Sequence, residues 1–100
     1  MKQPILKNLE QAAFMLRTVA HPARIEIINL LKQRSSLAVG EIQQSLGITQ
    51  SMTSQHLALL KKIGIVDYTK KANACFYYLK NKNVLKLIDC VQGCCSAKSL

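Results

Sequence analysis

The chain has 100 residues, 49% of them hydrophobic, and 14 Lys and Arg against 5 Asp and Glu give it a net charge of +9. That is a single domain able to bury a core, and its charge points to a polyanionic partner, either nucleic acid or an anionic membrane surface. No apolar run approaches the ~20 residues that span a bilayer, and the N-terminus MKQPILKNLEQ is too interrupted by polar residues for a signal peptide, so the expectation is a cytoplasmic protein with four reduced thiols.

In chain order, Ile5, Leu6, Leu9, Ala12, Ala13, Leu16 and Val19 recur at helical spacing, which predicts a first helix from Pro4 to Val19. His21-Pro22 interrupts it, and proline suits the first turn of a second helix, Pro22 to Lys32. Ile25, Ile27, Ile28, Leu30 and Leu31 make that helix apolar on most faces, hence central. Arg34-Ser35-Ser36 is expected to be a plain connector. Val39 to Leu46 reads as a short third helix with Ile42 and Leu46 inward and Gly47 as its left-handed end.

Thr49 can cap a fourth helix, which Gly64 ends after Lys61 and Lys62 have placed positive charge in its last turn. Ile65 to Lys70 and Ala74 to Leu79 read as a hairpin turning at Lys71-Ala72-Asn73. Asn81 or Asn83 can cap a fifth helix through Val84, Leu85, Leu87, Ile88 and Val91. Gly93 is expected to fray it, leaving Cys94 to Leu100 as a loose tail.

A short helix, a tight turn and a second helix over about residues 39–63, followed by a hairpin over about 65–79, form a unit suited to duplex DNA. Winding the fourth helix at 100° per residue puts Thr53, Leu57 and Leu60 on one face, with His56 and Ile63 at its border. Ser51, Gln55, Ala58 and Lys62 face the other way, flanked by Ser54. Gln can bond an adenine edge through two hydrogen bonds, and hydroxyls serve several bases or phosphates. Lys61 and Lys62 are better placed for phosphate than for bases. His56 is read as mixed packing and phosphate contact, and His21 as a helix-start residue. Lys70, Lys71 and Asn73 gather at the hairpin tip, where cations can follow the backbone or enter the minor groove. Cys75 shares a strand face with Tyr77 and Leu79 and reads as a small buried hydrophobe. The first and last helices carry more apolar surface than a lone 100-residue chain should expose, and a twofold dimer accounts for it economically.

Ala20 to Leu79 closely resembles the ArsR/SmtB family of bacterial winged-helix repressors. The likeness lies in VAHPARIEIINLL (Val19 to Leu31), in VGEIQQSLGITQSMTSQHLALLKKIGIV (Val39 to Val66) and in the strand FYYL (Phe76 to Leu79). It implies a mainly α fold with a small β-hairpin, four helices, two strands and a fifth helix. It also implies a homodimer through the first and fifth helices (the latter with its tail at about 81–100), a near-palindromic double-stranded DNA operator, release by a small inducer, and no catalytic activity. By the resemblance, Gln50, Ser51, Ser54, Gln55 and His56 are DNA-facing, and Lys70, Lys71 and Asn73 belong to the wing.

The departures bear on the signal. Metal-sensing members often carry a Cys-Val-Cys-type motif at the start of the third helix, where this chain has Ala38-Val39-Gly40. A second family site uses Asp and His on the fifth helix, which here offers Asp89 and no histidine. Other members pair a second-helix thiol with a fifth-helix thiol, and Pro22 to Lys32 holds no cysteine. Thr53 stands where an aliphatic residue is usual, and its methyl can still pack.

What remains is CVQGCC, with Cys90, Cys94 and Cys95. Adjacent and one-turn-spaced thiols suit a soft ion such as arsenite, Zn(II) or Cu(I) as inducer, or an oxidant that forms a disulfide, or no sensing at all. No cofactor is needed for DNA binding itself. Two other functions fit the composition. One is a winged-helix interaction module whose basic face docks an acidic protein; the other is a thiol enzyme or metal carrier, which lacks both a CxxC spacing and a nearby histidine base.

Overall fold

The computed structural model describes residues 4–98. Eight elements follow one another: α1 (Pro4–Val19), α2 (Pro22–Arg34), β1 (Ser36–Ala38), α3 (Val39–Leu46), α4 (Gln50–Lys62), β2 (Val66–Lys71), β3 (Ala74–Leu79) and α5 (Asn83–Lys98). Each boundary has a local chemical cause. His21 is extended and accepts the Ala23 N–H at 3.1 Å through Nδ1, which caps α2, while Pro22 supplies a first-turn residue with no N–H to satisfy. Ala38, ahead of α3, has no side-chain acceptor. Glu41 Oε1 accepts the Ala38 N–H at 2.8 Å instead, the reciprocal half of a capping box.

Gly47 ends α3 at φ 69°, its N–H bonded to the Gln43 carbonyl, and this sharp exit aims α4 across α3. Thr49 Oγ1 accepts the Met52 N–H at 3.1 Å and starts α4 as expected.

The core is built on α2. Ile27, Ile28 and Leu31 are buried there and pack with Ile42 of α3, Leu57 and Leu60 of α4, Ile65 and Val66 at the start of the wing, and Val84 and Ile88 of α5. At about 0.8 kcal/mol per buried methylene, such a cluster supplies the main stabilisation of a chain this small. Thr53, fully buried on the same seam, has its hydroxyl satisfied by donation to the Thr49 carbonyl at 2.9 Å.

Two expectations are corrected. The predicted Arg34-Ser35-Ser36 connector gives way at Ser36 to a short strand, so the wing is a three-stranded antiparallel sheet in the order β1-β3-β2. β1 pairs Ser36 with Tyr78 and Ala38 with Phe76, and β2 pairs Val66 with Leu79 through Lys71 with Ala74. Three residues carry too little periodicity to signal a strand; β1 exists because the free edge of β3 offers it a ladder. The second correction concerns α5, which continues through Gly93 to Lys98, so Cys94 and Cys95 are helical residues rather than part of a tail. One glycine costs a helix only about 1 kcal/mol, which the rest of the helix can absorb.

The wing turns on Ala72 and Asn73, at φ 48° and 67°, with Lys71 ending β2. This is the left-handed pair that a two-residue hairpin requires, and asparagine tolerates it where alanine does not. Replacing Ala72 with Gly is expected to raise unfolding free energy by about 0.5–1 kcal/mol, and Ala72→Val to lower it. Chemical denaturation monitored by circular dichroism checks the order.

Candidate nucleic-acid interface

α3, the Gly47 turn and α4 set one helix across another, with α4 carrying a sharply divided surface. Thr53, His56, Leu57 and Leu60 are buried, whereas Gln50, Ser51, Ser54, Gln55, Ala58 and Lys62 are exposed. The division follows from the 100° rotation per residue: an apolar stripe can cover the core only by turning the hydroxyls and amides to solvent. The outward face therefore presents short donors and acceptors on a rigid helix with no acidic residue, geometry suited to a major groove. Met52 joins this face at 47% exposure and was missed by sequence reasoning, which took it for neither packing nor contact.

His56 does not sit with the exposed residues of α4. It is 7% exposed, and its Nδ1 accepts from Arg24 Nε at 3.1 Å while its ring lies 4.7 Å from that of His21. Burial lowers its pKa from the ordinary imidazole value, and the neighbouring His21 and Arg24 lower it further. A neutral, buried ring orients other groups; it is poorly placed to grip phosphate. No periodicity signals the Arg24 partner, because that contact joins residues of two different helices.

Lys61 and Lys62 also separate. Lys61 Nζ lies 4.0 Å from Asp67 Oδ1 and 5.6 Å from the Tyr68 ring centroid, tying the end of α4 to the base of β2. Both partners are partly exposed, so this tie is worth at most about 1 kcal/mol. Lys62 is exposed. Beyond it the wing carries Lys70, Lys71 and Asn73, all exposed at the tip. Tyr68 and Tyr77, cross-strand partners with ring centroids 5.2 Å apart, stiffen the blade that holds them.

The four cysteines divide as well. Cys75 is half-buried, less enclosed than expected, while Cys90, Cys94 and Cys95 are exposed along α5. Cys90 and Cys94 share a helix face at four-residue spacing, with Cys95 100° further round. Among the described residues no group of three or more His, Cys, Asp or Glu is arranged to hold a metal ion within one chain. Asp89 lies 3.8 Å from Lys32 Nζ across the α2–α5 contact. An apolar groove of about 150 Å³ is lined by Leu16, Val19, Ala20, Ile25, Leu87, Ile88, Val91 and Gln92. Leu16 and Val91 are each 50% exposed there. Among the described residues no helix is long and apolar enough to cross a membrane.

Comparison with known proteins agrees with this geometry. Residues 21–68 match the family described as bacterial regulatory protein, arsR family. The regulator YgaV of Escherichia coli is 35% identical over 81% of this chain and 82% of its own length. The transcriptional activator HlyU of Vibrio cholerae is 36% identical over 87% of this chain and 80% of its own. Among solved structures, NolR of Sinorhizobium fredii superposes with a TM-score of 0.84 at 27% identity, covering 93% of this chain and 92% of that one. A possible ArsR-family regulator of Mycobacterium bovis, described as a homodimeric winged helix-turn-helix DNA-binding domain, gives 0.85 at 25% identity, covering 96% and 88%. An exposed polar reading helix, a cationic wing and relatives that are regulators rather than enzymes lead to one conclusion: this chain belongs to the ArsR family and is a DNA-binding transcriptional regulator of winged helix-turn-helix fold.

Proposed function

We propose that the protein is a homodimeric repressor that grips a near-palindromic operator and lets go when thiols of α5 are modified or bridged. The observation that carries the DNA half is the outward face of α4, polar and free of carboxylates, with Lys70, Lys71 and Asn73 of the wing beyond it. In this reading Gln50, Ser51, Ser54 and Gln55 enter the major groove, while Lys62 and the wing lysines lie along phosphates. Lys61 contributes once its weak tie to Asp67 is exchanged for phosphate. Direct base contacts supply sequence preference and the cations supply most of the affinity.

Electrophoretic mobility shift on the protein's own promoter tests this reading. Binding is expected to weaken steeply with salt. Lys70→Ala and Lys71→Ala should each reduce the logarithmic salt slope by about one, whereas Gln55→Ala should cost about 1–3 kcal/mol on the operator and little on unrelated duplex. Salt-independent association, or none at low salt, would leave the basic face for an acidic protein partner instead.

A second copy is the natural occupant of the apolar groove between α1, α2 and α5. Leu16 and Val91 are half exposed on it, and a homodimeric structural relative has the same architecture. Twofold pairing would present two α4 helices at half-sites about 34–36 Å apart. Leu16→Glu is expected to shift sedimentation towards monomer and to weaken operator binding by at least tenfold. A dimer that survives this substitution and Val91→Glu together would place the interface elsewhere.

Cys90, Cys94 and Cys95 are exposed on α5, the helix that contributes Leu87, Ile88, Val91 and Gln92 to that groove. A soft ion held between two copies, such as arsenite, Zn(II) or Cu(I), or a disulfide formed by an oxidant, would rotate one copy against the other. A coupling of about 1–3 kcal/mol suffices for a 5- to 150-fold change in affinity. Operator binding by the reduced protein should respond to one of these agents, and Cys→Ser at all three positions should abolish the response. A response unchanged in that variant would assign sensing to another part of the chain.

A further inference from the structure

The chain contains two histidines, and the fold stacks them against each other where the α1–α2 turn meets the inner face of α4. Both rings spend Nδ1 as an acceptor. His21 Nδ1 takes the Ala23 N–H at 3.1 Å, closing the first turn of α2. His56 Nδ1 takes the Arg24 Nε–H at 3.1 Å, and Arg24 Nη1 continues to the Thr18 carbonyl at 2.7 Å. One guanidinium thus joins the end of α1, the start of α2 and the middle of α4.

A guanidinium only donates and stays charged, so the Arg24–His56 bond exists only while His56 is the neutral Nε2–H tautomer. Adding a proton to Nδ1 sets donor against donor and places a second cation beside the first. His21 Nδ1, stacked against the same ring, is the acceptor that caps α2. We infer that His21, Arg24 and His56 form a positioning clasp for α4 that opens on acidification, so that operator binding weakens as pH falls. The inference rests on the DNA-binding reading above and adds its regulation.

The charged groups acting on His56 are His21 from the turn and Arg24 from α2. α1 contributes the Thr18 carbonyl through Arg24, and the buried neighbours on α4 are Thr53, Leu57 and Leu60, none of which titrates. Burial, then His21, then Arg24 lower the His56 pKa below the ordinary 6.5. A lowered value in the closed clasp means that the opened state takes up the proton more readily. The clasp therefore holds fully above about pH 6.5 and is lost as pH falls through the lowered value. This direction opposes the generic one: histidines that gained charge beside phosphate would tighten binding in acid.

The test uses the full-length reduced protein with its own promoter duplex, by fluorescence anisotropy at constant ionic strength. From pH 7.5 to 5.5 the dissociation constant is expected to rise about 5- to 10-fold, as the competent fraction falls. The double variant His21→Asn, His56→Asn should lose that slope, because an amide oxygen can take the place of each Nδ1 without titrating. Carboxylates and thiols ordinarily titrate outside this window. Affinity that holds or rises in acid, or a slope that persists in the double variant, overturns the clasp.

A second readout needs no DNA and no variant. In nitrogen-15 spectra of the free protein, His56 should appear as the Nε2–H tautomer, and the backbone amides of Gln50 to Lys62 should shift with its titration. Amides of α4 that stay still through that titration overturn the inference even if the promoter binds. Absence of promoter binding at pH 7.5 with a normal amide titration would sink the DNA reading alone and uphold the clasp.

Discussion

The seam formed by Thr53, Leu57 and Leu60 is the contact on which the rest of the molecule depends. These three positions are wholly buried against the α2-centred core, and in a helix every other position is then determined by rotation. Anchoring them turns Ser51, Gln55 and Lys62 to solvent as one continuous polar face. Because the interior is close-packed, the helix cannot roll by even part of a turn without opening cavities or exposing leucines. Such rigidity matters for a DNA reader, whose hydrogen bonds to base edges tolerate little displacement.

Polar groups finish what the apolar seam begins. Thr53 closes its hydroxyl onto the Thr49 carbonyl, so the buried seam carries no unsatisfied donor. Arg24 reaches from α2 to His56 and fixes the border of the same seam. Lys61, held near Asp67 and Tyr68, couples the far end of α4 to the wing. α4 and the wing are thus oriented relative to one another by side chains that bond to other parts of the chain. Apolar surface is left over at Leu16 of α1 and Val91 of α5, on the groove these helices share with α2.

Much of this was legible from residue order. The caps at Thr49 and Gly47, the polar and apolar faces of α4, and the wing lysines all follow from local rules, in which a side chain acts on backbone within one turn or alternates with its neighbours. Three features were not. β1 is a strand only because β3 has a free edge, and α5 runs through Gly93 because the surrounding helix outweighs one poor residue. His56 lies at the border of two faces, where a rotation angle alone cannot separate burial from exposure.

Residue order by itself determined the winged helix-turn-helix plan and the identity of the outward residues on α4, since these depend on periodicity and on short-range capping. Tertiary structure alone decided which border residues serve packing. Arg24 and His56 meet across two helices, and His21 joins them from a turn, with the partners far apart along the chain. Nothing in local spacing encodes such a meeting, because it exists only once α2 and α4 have packed on the same core.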